Sequence, residues 1–156
     1  MKREVFSKEV LSLMEPLYYV ACSILTAPAD RDDALQSALE KGLQKCDSLR
    51  DETKLHAWIT RIVVNECKAL LRQKKRVILT DDFSLQAAEE MDIALYDAVS
   101  SLPDKLRLPF MLKVEGYQVA EISKILRIPI GTVKHRIYQA RQSLRTELTD
   151  TSEVSI

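Results

Sequence analysis

Glycine is nearly absent from this chain: Gly42, Gly116 and Gly131 are its only glycines in 156 residues. Runs that alternate β-branched and polar residues are missing too. Leu, Ala, Ile and charged residues dominate, a composition that favours helix over sheet. Cysteine is scarce and odd in number. Cys22, Cys46 and Cys67 lie far apart, which excludes a disulfide framework and any zinc-finger spacing, and reads as three small buried hydrophobes. No apolar run approaches the ~20 residues that a membrane span requires. The first residues, MKREVFSKEV, are charged and amphipathic, unlike a signal peptide, so a cytoplasmic protein without stable membrane insertion is expected. Net charge is also lacking, since 23 Lys and Arg balance 23 Asp and Glu. The only histidines, His56 and His135, fall in different proposed domains. There is no Gly-rich phosphate loop and no paired-carboxylate motif. Composition and motifs therefore point away from an enzyme, and they call for no cofactor and no metal.

What is present is helical periodicity and an uneven distribution of charge. Val5 to Leu25 repeats apolar residues at three and four, with Pro16 placed to kink or divide the helix. Thr26 to Asp30 is a break, with Asp30 as the expected N-cap. Asp32 to Leu43 forms the next helix, with Ala34, Leu35, Ala38, Leu39 and Leu43 inward. Lys45 to Thr53 is a polar connector. Lys54 to Leu71 is a third helix, with Leu55, Trp58, Ile59, Ile62, Val63, Cys67 and Leu70 on its inner side. These helices make one bundle over residues 1–76. Residues 77–91 read as a linker, and from Arg76 to Ile93 one Arg faces five acids. A second bundle, 92–149, is expected to contain a helix from Met91, a turn at Ser101 to Asp104 and a helix from Leu106 to Val114 that tolerates Pro109 only near its start. Asp150 to Ile156 reads as a frayed tail. The fold class is all-α: two small helical bundles joined by a linker, the second holding a helix-turn-helix.

The helix-turn-helix is the stretch Glu115 to Arg145. Val119, Ile122, Ile125 and Leu126 give its first helix a buried face. Pro129 suits a first helical turn. Val133, Ile137, Ala140 and Leu144 recur at i, i+4, i+7 and i+11, one face of a second helix. Its other side carries Lys134, His135, Arg136, Tyr138, Gln139, Arg141 and Gln142. From Ala94 to Leu148, nine basic residues stand against five acidic ones. A cationic helix directly after a compact turn fits the major groove of DNA. Lys134, Arg136 and Arg141 can neutralise phosphates, while Thr132, His135, Arg136 and Gln139 are the candidates for base readout. A solvated charged face is the bland alternative.

The earlier bundle presents two further polar surfaces. Lys54, Arg61, Asn65, Lys68 and Arg72 fall near one stripe of the third helix. Trp58 sits at a spacing that suits either the core or a stacked base. Asp32, Asp33, Gln36 and Glu40 form the polar side of the second helix, either a solvated face or a docking surface.

Taken together these motifs resemble the small two-domain sigma factors of bacterial RNA polymerase, the extracytoplasmic-function type of the sigma-70 family. Asp33-Ala-Leu-Gln36 is similar to the stretch with which that family docks on the polymerase clamp helices. Leu55-His-Ala-Trp58-Ile-Thr-Arg61-Ile-Val-Val-Asn65 is similar to its promoter-opening helix. Ser101 to Pro109 resembles the start of its C-terminal domain. Glu115-Gly116, Glu121-Ile122 and Ile128-Pro-Ile-Gly-Thr-Val-Lys-His-Arg136 resemble its helix-turn-helix. The resemblance spans roughly Leu17 to Leu148. It implies core RNA polymerase and promoter DNA as partners, and an anti-sigma factor as regulator. It assigns Asp32, Asp33, Gln36 and Glu40 to polymerase docking. It assigns Lys54, Trp58, Arg61, Asn65, Lys68 and Arg72 to promoter opening. Thr132, Lys134, His135, Arg136, Tyr138, Gln139 and Arg141 would hold the upstream element.

Four positions depart from the family pattern. Arg127 stands where Gly is usual in the turn, which implies backbone strain. Ser37 replaces an acid beside Gln36. Gly42 stands where a bulky residue often packs, which implies looser packing. Gln139 stands where Arg is common. Two rivals remain at this stage: a stand-alone helix-turn-helix regulator that needs no polymerase, and a protein-interaction module whose basic helix meets an acidic partner.

Overall fold

The computed structural model describes the backbone of residues 1–74 and 93–154, and side-chain surroundings over 1–73 and 97–146. Every regular element among the described residues is a helix. The chain forms two compact units, Met1–Ser84 and Leu85–Ile156. The expected linker, 77–91, lies outside the described residues.

The first unit contains α1 (Arg3–Leu11), α2 (Met14–Cys22), α3 (Pro28–Lys45) and α4 (Leu55–Lys74). The helix expected over Val5 to Leu25 is thus divided, and the break falls at Ser12–Leu13, upstream of Pro16. The cause is that proline acts four residues back: it has no N–H for the Ser12 carbonyl, and its ring crowds that carbonyl. The chain instead closes α1 with Ser12 N–H to Glu9 O at 3.3 Å and Leu13 N–H to Val10 O at 3.0 Å. It then restarts with Pro16 inside the first turn of α2.

Asp30 is not the N-cap of α3. Ala27 occupies that position, with φ −84° and ψ 128°, and Pro28 opens the helix. Proline at the first helical position loses no hydrogen bond, so the start moves ahead of Asp30. Asp30 falls in the first turn instead, where a negative charge meets the positive helix end. Arg31 is 0% exposed. Its Nε donates to the Leu25 carbonyl at 2.8 Å, and its guanidinium lies 6.0 Å from the centre of the Tyr18 ring. The side chain therefore fastens the α2–α3 turn from inside.

α4 packs against both α2 and α3. A helix held between two others buries more than one stripe, so Thr60 and Val64 are 0% exposed beside the expected Ile59, Val63 and Cys67. Trp58, Ile62 and Leu70 are only half-buried, and Leu43 on α3 is exposed, against expectation. Lys41 on α3 pairs with Glu66 on α4.

Gly42 does not loosen this packing. A Cβ built there would lie 2.7 Å from Phe6 Cζ and 2.9 Å from Ile59 Cδ1. The bulk expected at position 42 is supplied by Phe6 from α1, which reaches into the space a side chain would fill. Phe6 in turn meets Trp58 edge to face, with ring centroids 6.2 Å apart and planes at 89°. Gly42→Val is accordingly expected to lower stability by about 1–3 kcal/mol through overpacking. Phe6→Ala alone is expected to cost about 3–5 kcal/mol, and the double variant should lose less than the sum of the two, which a double-mutant cycle of thermal melts will show.

Cys22, Cys46 and Cys67 are free and buried. Burial pushes the Cys22 thiol up from its ordinary range, partly offset by the Arg31 charge. Burial, with Cys22 and Glu66 nearby, pushes Cys67 up to about 12. Both thiols are held neutral at physiological pH, as expected of packing residues.

The second unit contains α5 (Ile93–Ser101), α6 (Asp104–Val114), α7 (Val119–Leu126) and α8 (Ile130–Val154). Met91, the expected start of α5, lies outside the described residues. α6 begins at Asp104 rather than Leu106, because Pro103 occupies its N-cap position. Pro109 is consequently buried inside the helix rather than near its start. The Arg107 guanidinium stitches the α5–α6 turn, donating to Ser100 O at 3.1 Å and Leu102 O at 2.9 Å. α8 continues through Val154, so the tail expected from Asp150 is helical over most of its length.

The junction between α7 and α8 is the tight turn the sequence called for. Gln118 precedes α7, and its backbone N–H donates to Glu121 Oε1 at 3.2 Å. At the other end Arg127 adopts φ 57° and ψ 46°, the left-handed conformation. Among the described residues it is the only non-glycine with positive φ. Ile128 N–H reaches back to Ser123 O at 3.2 Å, and Ser123 Oγ donates to Ile128 O at 2.6 Å. Pro129 stands just ahead of α8 rather than within its first turn. Its carbonyl accepts Val133 N–H at 3.1 Å. A side chain at a left-handed position costs about 1 kcal/mol that glycine avoids. Arg127→Gly should therefore stabilise the chain by about that amount, raising its melting temperature without altering its helix content.

Candidate nucleic-acid interface and docking face

α8 is a helix with one dry side. Val133 and Ala140 are 0% exposed, Ile137 4% and Leu144 6%. The i, i+4, i+7, i+11 stripe is thus buried as the spacing requires, against α6 and α7, both of which pack on α8. The polar residues around the rest of the helix are not equivalent. Lys134, Tyr138, Arg141 and Arg145 recur at i, i+4, i+7 and i+11 along one flank, and all are exposed. Arg145 was not among the residues singled out from the sequence, although its spacing from Arg141 extends the same row. His135, Gln139 and Gln142 lie nearer the crest opposite the buried stripe and are exposed. Thr132 and Arg136, on the far flank, are half-buried. The candidate reading line Thr132, His135, Arg136, Gln139 is therefore split between two exposed and two partly covered side chains.

Lys54, just ahead of α4, opens a row that continues on that helix through Trp58, Arg61, Asn65, Lys68 and Arg72 at alternating spacings of four and three. Lys54, Arg61, Asn65 and Arg72 are exposed, and Lys68 is half-buried. Trp58 is half-buried and stacks perpendicular to Phe6. Its ring serves the core and borders the exposed row at once.

The connector ahead of α4 is more shaped than its polar composition suggests. It contains two 3-10 turns, Cys46–Ser48 and Glu52–Lys54. Cys46 and Leu49 are buried and anchor it, while Arg50 and Asp51 are exposed. Asp51 Oδ1 accepts the Thr53 N–H at 3.1 Å and also the Thr53 hydroxyl. These two bonds hold the Asp51 carboxyl below its usual range. The cap is thus intact above the ordinary carboxylate range and is lost as pH falls through the depressed value. The signal was present in the sequence: Asp-x-Thr is a side-chain-to-backbone turn.

On α3, Asp32, Asp33, Gln36 and Glu40 are all exposed. Asp32, Gln36 and Glu40 border a groove of about 450 Å³ between α1 and α3, floored by Phe6, Val10 and Leu35. Asp33 does not line it. The sequence could not show this groove, because Phe6 and Val10 of its floor come from α1 and Leu35 from α3. Among the described residues no group of three His, Cys, Asp or Glu side chains is placed to hold a metal ion. No described helix is long and apolar enough to cross a membrane.

Comparison with known proteins bears on both units. The family model for sigma-70 region 2 matches residues 10–77, and that for sigma-70 region 4 matches residues 86–144. The extracytoplasmic-function (ECF) RNA polymerase sigma-E factor of Haemophilus influenzae is 26% identical, the match covering 76% of this chain and 75% of the relative. The sigma-E factor of Escherichia coli K12 is 28% identical over 74% of this chain and 72% of its own length. Two solved structures share the fold. The sigma factor RpoE of Bartonella quintana, solved with the anti-sigma factor NepR, has a TM-score of 0.83 at 24% identity, covering 94% of this chain and 98% of that one. CnrH, solved with the cytosolic domain of CnrY, has a TM-score of 0.68 at 22% identity, covering 96% of this chain and 90% of that one. With a sigma region 2 match on the first unit, a sigma region 4 match on the second and sigma-E factors as its relatives, the chain belongs to the sigma-70 family of RNA polymerase sigma factors, of the extracytoplasmic-function type.

Proposed function

We propose that the two units divide the work of a sigma factor, through binding rather than catalysis. The unit over residues 1–76 docks on core RNA polymerase through the α3 face, Asp32, Asp33, Gln36 and Glu40. It supports the opened promoter with the α4 row, Lys54, Trp58, Arg61, Asn65, Lys68 and Arg72. The unit over 92–149 holds the upstream promoter element with α8, through Thr132, Lys134, His135, Arg136, Tyr138, Gln139 and Arg141. Residues 77–91 join them, so that two modest affinities multiply through effective concentration. The observation that carries this reading is the pairing of both family regions, in order, with a chain whose α3 face is exposed and acidic and whose α8 is exposed and cationic.

An anti-sigma factor is the expected regulator, since both structural neighbours were solved with one or with a companion cytosolic domain. A cytoplasmic site of action follows from the same reading. The stand-alone regulator is separated by a mobility-shift assay. The purified chain alone should show little promoter selectivity, and addition of core polymerase should create it. Selective binding of a palindromic site by the chain alone would favour the rival.

A further inference from the structure

We propose that Gln139 selects adenine at one position of the upstream element, while Lys134, Arg141 and Arg145 grip phosphates. This rests on the reading that α8 enters the major groove, and it deepens that reading by assigning the base. The division of labour follows from where the side chains stand. Lys134, Arg141 and Arg145 share a single exposed flank, which suits one wall of a groove, where phosphates lie. The crest between that flank and Arg136 carries His135, Gln139 and Gln142 and, among the described side chains, no Lys, Arg, Asp or Glu. Gln139 is exposed on this crest, and no hydrogen bond among the described residues engages its carboxamide. It stands eight residues after Gly131, one turn beyond His135, on the half of α8 nearest the turn.

The chemistry of a carboxamide decides the base. Its oxygen accepts from the adenine N6 amino group while its amino group donates to adenine N7, two bonds in one plane. Guanine offers acceptors at both O6 and N7, so the carboxamide oxygen would face a lone pair. A guanidinium is the reverse: it donates twice and matches guanine. The residue at 139 therefore sets A or G at its position without altering the phosphate grip.

The test is transcription of a promoter library with a randomised upstream element, using core polymerase reconstituted with the full chain, and sequencing of the transcribed templates. The wild type should enrich adenine over guanine about 5- to 150-fold at one position. Gln139→Arg should exchange that adenine for guanine and leave the other positions as they were. Gln139→Ala should flatten that position alone. Wild-type preference retained at every position by both variants would overturn the assignment while leaving the groove reading intact. No preference at any upstream position for the wild type would overturn both.

Discussion

Lys134→Ala combined with Arg141→Ala is expected to weaken promoter binding by the polymerase-bound chain roughly 60-fold at about 0.1 M salt. The figure comes from counterion release. Each phosphate contact contributes about 0.9 to the slope of log K against log salt, so two lost contacts cost about 1.8 decades at that concentration. Both side chains lie on one exposed flank of α8, clear of the buried stripe, so the double variant should melt like the wild type. Three features identify the mechanism. The salt slope becomes shallower by about 1.8, the affinity gap narrows as salt rises toward 1 M, and the preference among promoter sequences is unchanged. A loss of preference with an unaltered slope would place these two residues on bases instead.

Asp32→Lys combined with Glu40→Lys is expected to weaken association with core RNA polymerase by about a hundredfold or more, a loss of about 2.7 kcal/mol. Both carboxylates border the α1–α3 groove and are exposed. Reversing them costs little internally and places like charges against whatever cationic surface the acidic face meets. Binding measured by gel filtration or fluorescence anisotropy should fall mainly through slower association and should depend on salt. Melting should be nearly unchanged, since neither residue contributes to the core. Asp33→Lys alone should have the smaller effect, because Asp33 stands off the groove.

How much of this was legible in the sequence depends on how local each cause is. The buried stripe of α8 was fully legible, because Val133, Ile137, Ala140 and Leu144 record one helix face by spacing alone. The exposed acids of α3 were legible for the same reason. The break between α1 and α2 was placed too loosely, since Pro16 disrupts the turn before it rather than its own position. The α3 start was misassigned because Pro28 and Asp30 both carry start signals, and the proline at the first helical position prevailed. Gly42 and Arg31 were beyond reach of pattern. The space at Gly42 is taken by Phe6, 36 positions away in the chain, and a charged residue inside a core is set by the geometry of the Leu25 carbonyl and the Tyr18 ring. Periodicity reads only the helix it lies on. The second stripe of α4, buried because that helix has two neighbours, shows the same limit. At the interface, spacing brought Thr132, His135, Arg136 and Gln139 onto one line, but Thr132 and Arg136 are half-buried while His135 and Gln139 are open.

The α7–α8 turn shows the opposite case. The departure at Arg127 was visible as a residue type, and the structure gives it the left-handed backbone that the usual glycine would adopt without strain. The retained side chain adds a cation beside the start of α8 at the expense of about 1 kcal/mol of stability.

The most direct measurement is multi-round transcription in vitro on fragmented genomic DNA, with core RNA polymerase alone and with the intact chain added at low salt. Discrete start sites are expected only when the chain is present, each preceded by a shared upstream sequence, and they should be lost when Asp32 and Glu40 or Lys134 and Arg141 carry the changes described above. An identical transcript pattern with and without the chain, from polymerase shown to be active with another sigma factor, would contradict the sigma-factor reading.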